Sequence, residues 1–332
     1  MAPKYYSLLL FLLVFTQACK VENKKEDGNL KKEAYTKLQG KVFGTTYNII
    51  YKSTEDFQAP INVIFEDFNN SLSTYIPTSL ISRVNQNDTT VVVDDYFEEA
   101  FDKAKRLYEE TDGYFDPTIG KLINAYGFGS GKEKNNLTAE EIETLMKITG
   151  FDKMALERRK VIKAPEMEFN VNAYAKGLGI DVVGRFLESK SINDYLVEIG
   201  GEIRARGKSP RNTLWKVAID DPNTDGSRSQ SRYINLDNQS MATSGNYRKF
   251  KINEKGEKIV HTVNPKTGLA QENNLLSASV LMQGDCADVD AYATAFMAMG
   301  LEKTKLFLEK HPKLKVVLIY TDEKGTIAEF AN

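Results

Sequence analysis

Residues 195–220, YLVEIGGEIRARGKSPRNTLWKVAID, decide the fold class of this chain. Three short β-like runs follow one another there: YLVEIG (195–200), EIRARG (202–207) and WKVAID (215–220). Gly200-Gly201 suits a tight turn between two of them. Upstream lie two further β-like runs, KVIKA (160–164) and MEFNV (167–171), and before those Thr138-Ala139-Glu140-Glu141 forms a capping box that opens a helix closing near Gly150. Earlier still, Phe97, Phe101, Ala104, Leu107 and Tyr108 share one helical face with Gly113 just beyond its end, and Ile61, Ile64, Phe65, Phe68 and Leu72 recur at helical spacing. Residues 38–52 partly alternate apolar and polar and read as a strand or hairpin. Downstream come SASVLM (277–282), a helix from about Ala287 to Met299, and LKVVLIY (314–320). Helices and strands are thus interspersed without the βαβ alternation of a doubly wound sheet, and no repeat is present. That pattern is α+β. No low-complexity linker interrupts residues 38–332, so residues 37–332 read as a single domain with two lobes.

Composition narrows the function. The 332 residues are 41% hydrophobic and 27% charged, as in ordinary globular proteins, and the net charge of −2 advertises no affinity for nucleic acid. Two cysteines, Cys19 and Cys286, cannot build a disulfide framework or zinc ribbon, and the presence of only two histidines argues against a Cys/His metal site. Any metal here is a hard cation held by oxygen.

The N-terminus reads as a targeting segment. Lys4 precedes the apolar run SLLLFLLVF (7–15), which is too short for a membrane-spanning helix of about 20 residues. It fits a secretory signal peptide over residues 1–18. Ala18-Cys19 resembles a bacterial lipobox, in which the cysteine is acylated and becomes the first residue. Thr16 stands where leucine is usual, and an ordinary signal peptide with an incidental cysteine is the alternative. Residues 20–36 are charged, with little apolar content, and with Cys19 read as a lipidated, flexible tether. The expected location is the cell envelope, anchored to a bacterial membrane and facing the periplasm.

Several segments combine Gly, Pro, Asp, Asn, Ser and Thr with aromatics, as site-forming loops do. They are GTTYN (44–48), SLSTYIPTSLISRVN (71–85), GYFDPTIG (113–120), NVNAYAKGLGID (170–181), EIGGEI (198–203), ATSGNY (242–247), HTVNPKTG (261–268) and DCADVDAYATAFMAMG (285–300). Any one alone is satisfied as a turn or cap. Asp290 and Thr294 stand four apart on a helix, so a carboxylate and a hydroxyl share one face and can hold a hard cation. Such pairs are common on solvated helices, but the surrounding Ala287, Ala291, Ala293 and Ala295 argue against a solvated face.

Together these segments resemble the FAD:protein FMN transferase family (ApbE-like). The resemblance runs from about Lys41 to Ile327 and is carried by DPTIG, AYAKGLGID, IGGEIRARG, HTVNPKTG and DAYATAFMAMG in the family's order. It implies an α+β fold of the ApbE/T-fold-like type, and exported, lipid-anchored members are common. It implies a magnesium ion on Asp290, Thr294 and the backbone carbonyl of Ala173. It implies FAD as substrate, contacted by Phe43, Tyr75, Tyr114, Phe115, Asp116, Asn170, Lys176 and Val263, with Asn170 departing from the acidic residue of some members. His261 is the implied proton acceptor, and Asp288, a second carboxylate near the metal, is a rival. The implied reaction moves FMN from FAD to a Thr or Ser hydroxyl of an acceptor flavoprotein and releases AMP. Alternatives are FAD hydrolysis to FMN and AMP, and a non-catalytic flavin-binding lipoprotein; Tyr75 after Ser73-Thr74 matches the transferring pattern.

Overall fold

A computed structural model describes residues 34–129, 137–220, 230–246, 250–252, 256, 258–270 and 272–332. The leader, Cys19 and most of the tether therefore lie outside the described residues. The first ordered element is a hairpin, β1 (Thr36–Val42) and β2 (Thr45–Tyr51), joined through Phe43 and Gly44. Both connecting residues have positive φ, 50° and 74°, the geometry whose twist matches paired strands. Helix α1 (Gln58–Leu72) buries Ile61, Phe65, Phe68 and Leu72, the face its spacing predicts. After the short α2 (Leu80–Asn85), α3 (Asp95–Glu110) is capped by Asp94 and buries Phe97, Phe101, Ala104 and Leu107. Next come α4 (Gly120–Ala125) and α5 (Ala139–Lys147), the latter opened by the Thr138/Glu141 capping box.

A small hairpin, β3 (Ala155–Glu157) and β4 (Lys160–Ile162), precedes a segment that departs from expectation. Residues 167–171 bury Met167, Phe169 and Val171 alternately, as a strand would, yet join no ladder. Their amides are taken elsewhere: Phe169 N donates to Asn85 Oδ1 at 2.8 Å and Asn170 N to Pro117 O at 2.8 Å. Helix α6 (Ala175–Ser189) follows, then β5 (Tyr195–Ile199) and β6 (Glu202–Arg206). WKVAID forms β7 (Trp215–Asp220), paired with β8 (Gln230–Leu236) in a separate ribbon. The chain continues through β9 (Ser240–Gly245), the hairpin β10 (Phe250–Ile252) and β11 (Lys258–Val260), and β12 (Leu275–Met282). It closes with α7 (Cys286–Met299), α8 (Leu301–Lys310), β13 (Lys315–Thr321) and β14 (Ile327–Ala331).

The main sheet runs β1-β2-β5-β6-β9-β12-β13-β14, with every neighbour antiparallel. Side chains alternate across it. On β5, Tyr195, Val197 and Ile199 enter the large core with α1, α3, α6 and α7, whereas Leu196 joins Trp215, Val217 and Leu236 of the ribbon on the other face. A third, small cluster of Leu122, Val263 and Ala270 is completed by residues of α4 and α5. The α+β reading thus holds, and residues 34–332 fall in one compact unit.

Candidate active site

Between the small cluster and the large core lies a cleft of about 450 Å³, within the size range of small-molecule sites. Its two ends differ in chemistry. Tyr114, Phe115, Ile119, Ile123, Phe128, Val263 and Pro265 make one end largely apolar and aromatic, suited to a flat ring system. Ala173, Lys176, Glu202, Thr243, Ser244, Asp290 and Thr294 make the other end polar.

The polar end exists because α6 and α7 pack closely. Helix α7 is rich in alanine and buried on nearly every side, and Gly177 of α6 meets it backbone to backbone: a Cβ there would lie 2.5 Å from Cys286 O. This closeness lets Gly177 N donate to Asp290 Oδ2 at 3.2 Å and brings Thr294 Oγ1 within 3.5 Å of Ala173 O. Ser244 Oγ on β9 lies 3.4 Å from Thr294 Oγ1. Lys176 Nζ stands 3.3 Å from Glu202 Oε2 and 3.6 Å from Asp290 Oδ2. Burial pushes the Glu202 and Asp290 carboxyls above their ordinary range, against the lowering influence of Lys176. Burial also opposes the Lys176 ammonium, but Asp290 and Glu202 outweigh it and hold its pKa above that of an ordinary lysine. Two carboxylates share one ammonium here, so the polar end is short of positive charge. A carboxylate, a hydroxyl and a carbonyl converge beside that deficit, a donor set suited to a small hard cation with open positions.

Elsewhere in the cleft, Asp116 Oδ1 accepts from Thr118 N at 2.8 Å and Thr118 Oγ1 at 2.6 Å, while burial raises its pKa against those bonds. Asn170 Oδ1 accepts from Asn172 N at 2.9 Å. Lys303 donates to the Tyr114 hydroxyl and sits 5.0 Å from its ring centroid. His261 lines the wall, its ring 6.4 Å from that of Phe128. Tyr75, 64% exposed, stands at the rim.

The structure therefore gathers Tyr75, Tyr114, Phe115, Asp116, Asn170, Ala173, Lys176, His261, Val263, Asp290 and Thr294 around one cleft. Two expected residues are placed elsewhere. Phe43 does not line the cleft; its ring packs on Phe65 and Phe68 at centroid distances of 5.6 and 5.0 Å. Asp288 precedes Asp290 by two residues, about 200° around a helix, and so faces away. Its carboxylate meets Arg106 Nη2 at 2.6 Å and Lys103 Nζ at 3.7 Å, which corrects its placement near the metal donors. Glu202, Ser244 and Phe128 were not singled out from sequence. The Gly-containing runs EIGGEI and ATSGNY carried the signal for the first two, whereas Phe128 had none.

A sequence model of the ApbE family matches residues 43–318. The chain belongs to the ApbE family. Among its relatives, the FAD:protein FMN transferase of Haemophilus influenzae is 34% identical over 308 residues, covering 88% of each chain. The solved structure of the flavin transferase ApbE from Vibrio cholerae is similar at TM-score 0.79 and 33% identity, over 90% of this chain and 97% of that one. The apo flavinyl transferase ApbE of Pseudomonas stutzeri is similar at TM-score 0.79 and 26% identity, over 90% and 95%. The ApbE architecture thus extends over the whole described body, and the cleft lies within the matched residues.

Proposed function

We propose that this ApbE-family enzyme moves the FMN half of FAD onto a serine or threonine hydroxyl of an acceptor protein and releases AMP. The observation that carries the reading is the joining, in one cleft, of an aromatic end suited to a flavin with a cation-deficient, oxygen-lined end suited to a pyrophosphate. The acceptor oxygen attacks the riboflavin-side phosphorus, the phosphoanhydride P–O bond breaks, and a new phosphoester forms as AMP departs. Asp290, Thr294 and the Ala173 carbonyl would hold Mg²⁺, which when bound neutralises charge on the pyrophosphate oxygens. Lys176 adds a fixed positive charge at that end. His261 takes the proton of the attacking hydroxyl from the cleft wall. Tyr75 at the exposed rim lies where the acceptor segment enters. The leader and Ala18-Cys19 support an envelope location, with acylated Cys19 holding the enzyme at a periplasm-facing membrane surface.

The test incubates the enzyme with FAD and Mg²⁺, with and without an acceptor flavoprotein, and follows AMP and protein-bound flavin fluorescence together. Transfer predicts AMP and labelled acceptor in equal amounts, and neither from FMN, which lacks the leaving group. AMP release at the same rate without acceptor would make the enzyme a hydrolase; bound FAD without AMP would make it a binding protein.

A further inference from the structure

Behind the cleft lies a buried ionic group that the reaction above does not use. The turn before α6 and α6 itself meet α7 at every fourth residue in antiparallel register: Ala173 of the turn against Thr294, Gly177 against Asp290, and Asp181 against Cys286. On the helices, steps of four keep Gly177 with Asp181, and Cys286 with Asp290 and Thr294, on one face. The first two rungs are the candidate cation donors. The third is a cap supplied from another helix. The opening amides of α7 need acceptors, but Asp285 at the capping position supplies none. Its carboxylate is engaged by Lys103 at 2.5 Å and Arg204 at 3.0 Å. Asp181, fully buried in the middle of α6, accepts instead: Oδ1 from Cys286 N at 2.8 Å and Oδ2 from Ala287 N at 2.9 Å. Arg204 Nη1 reaches the same Oδ1 at 2.7 Å, so the buried carboxylate is matched by two helix-end amides and a guanidinium. The backbone contact at Gly177 leaves no slack between this cap and the cleft.

We propose that Asp181 is a positioning residue, whose clamp on the first turn of α7 fixes the axial register of α6 and α7 and thereby the spacing of Ala173 O, Asp290 and Thr294 for cation binding. It touches neither flavin nor metal, and the proposal rests on the reading that those three oxygens take the magnesium. Asp181→Asn keeps the size but turns an NH₂ group toward a helix N–H, so one capping bond is lost and the end of α7 shifts.

The experiment titrates Mn(II) into the full chain with FAD present and acceptor absent, following the free-ion EPR signal, with thermal melting of each variant alongside. Asp181→Asn should weaken Mn(II) binding about tenfold or more, as loss of supporting hydrogen bonds around a metal site does. The magnesium concentration giving half-maximal transfer should rise in step, with the maximal rate largely recovered at saturating metal. A folded Asp181→Asn with lowered melting temperature but wild-type Mn(II) affinity would reduce the carboxylate to a stabilising cap and overturn the proposal. Should Asp181→Asn fail to fold, Asp181→Glu carries the test, because it keeps the capping carboxylate but displaces it by one methylene from the α7 amides; a folded Asp181→Glu with unchanged affinity overturns the proposal equally. Wild type and Asp290→Ala binding Mn(II) alike would instead show that the metal reading beneath it is wrong.

Discussion

Asp290 sits 3% exposed beside one ammonium that it shares with Glu202. Removing it leaves Lys176 and Glu202 as a balanced pair, so Asp290→Ala should fold while losing the anionic member of the proposed cation donors. FMN transfer should fall by about 100-fold or more, with the loss not recovered by added Mg²⁺. Thr294→Val, which keeps the β-branch and removes one hydroxyl, should shift the magnesium dependence in the same direction by a smaller factor. Full turnover of Asp290→Ala at any attainable magnesium concentration would sink the assignment. The sequence made Asp290 and Thr294 legible because a spacing of four on a helix is a geometric statement. Asp288 shows the limit of the same reasoning. Its proximity in sequence suggested a rival base, but a step of two turns it toward Arg106 and Lys103 on α3. For Glu202 the run EIGGEI marked the segment but not the role, because its importance comes from meeting Lys176 across a packed interface.

The helices α6 and α7 bring these residues together, and Gly177 is where they touch. An alanine there gains helix propensity of about 1 kcal/mol over glycine. Its Cβ, however, would lie 2.5 Å from Cys286 O and 2.7 Å from Ala287 Cα, both backbone, so a helix must move. Overpacking of this kind costs about 1–3 kcal/mol, and the clash should win. Gly177→Ala should therefore lower the melting temperature and weaken transfer together; a variant as stable and as active as wild type would show that the approach is looser than described. The start of α7 is also tied to α3 and β6 through Lys103, Asp285 and Arg204. Burial raises the Asp285 carboxyl, but Lys103 and Arg204 prevail and hold it below its ordinary 3.8. A carboxyl depressed by folding contributes stability above the unfolded value, and that contribution is lost as pH falls from about 4 downward. Melting temperature followed through this acid range should fall less steeply for Asp285→Asn than for wild type, and parallel curves would remove Asp285 from the account. Elements whose apolar face or cap is local, such as α1, α3 and α5, were readable from sequence. Residues 167–171 were not, because their alternation serves burial while their amides bond to Asn85 and Pro117.

Across the whole molecule the cleft draws on residues from Tyr75 to Ala298, and β9 reaches it by inserting between β6 and β12. Such a strand order is invisible to periodicity, so the sequence motifs identified the pieces without saying which side chains meet. The described residues that line the cleft begin at Tyr75, and the proposed anchor at Cys19 has a test of its own. Residues 20–35, if extended, could reach about 55 Å from an acylated Cys19 to the first strand. A tether of that length would confine the enzyme to a thin layer at the membrane and raise its effective concentration toward acceptors held there. One acyl chain binds a membrane only marginally, so retention would require the several chains of a bacterial lipoprotein. Cys19→Ser removes the thiol that is acylated. It should leave uncleaved precursor or release the protein from membranes, with FMN transfer to a soluble acceptor by the isolated enzyme unchanged. Transfer to a membrane-embedded acceptor in cells should drop, because the catalytic body is intact but no longer concentrated beside its target. Unchanged processing and fractionation of Cys19→Ser would make residues 1–18 an ordinary signal peptide. Loss of transfer to the soluble acceptor would show instead that the N-terminal segment contributes to the cleft itself.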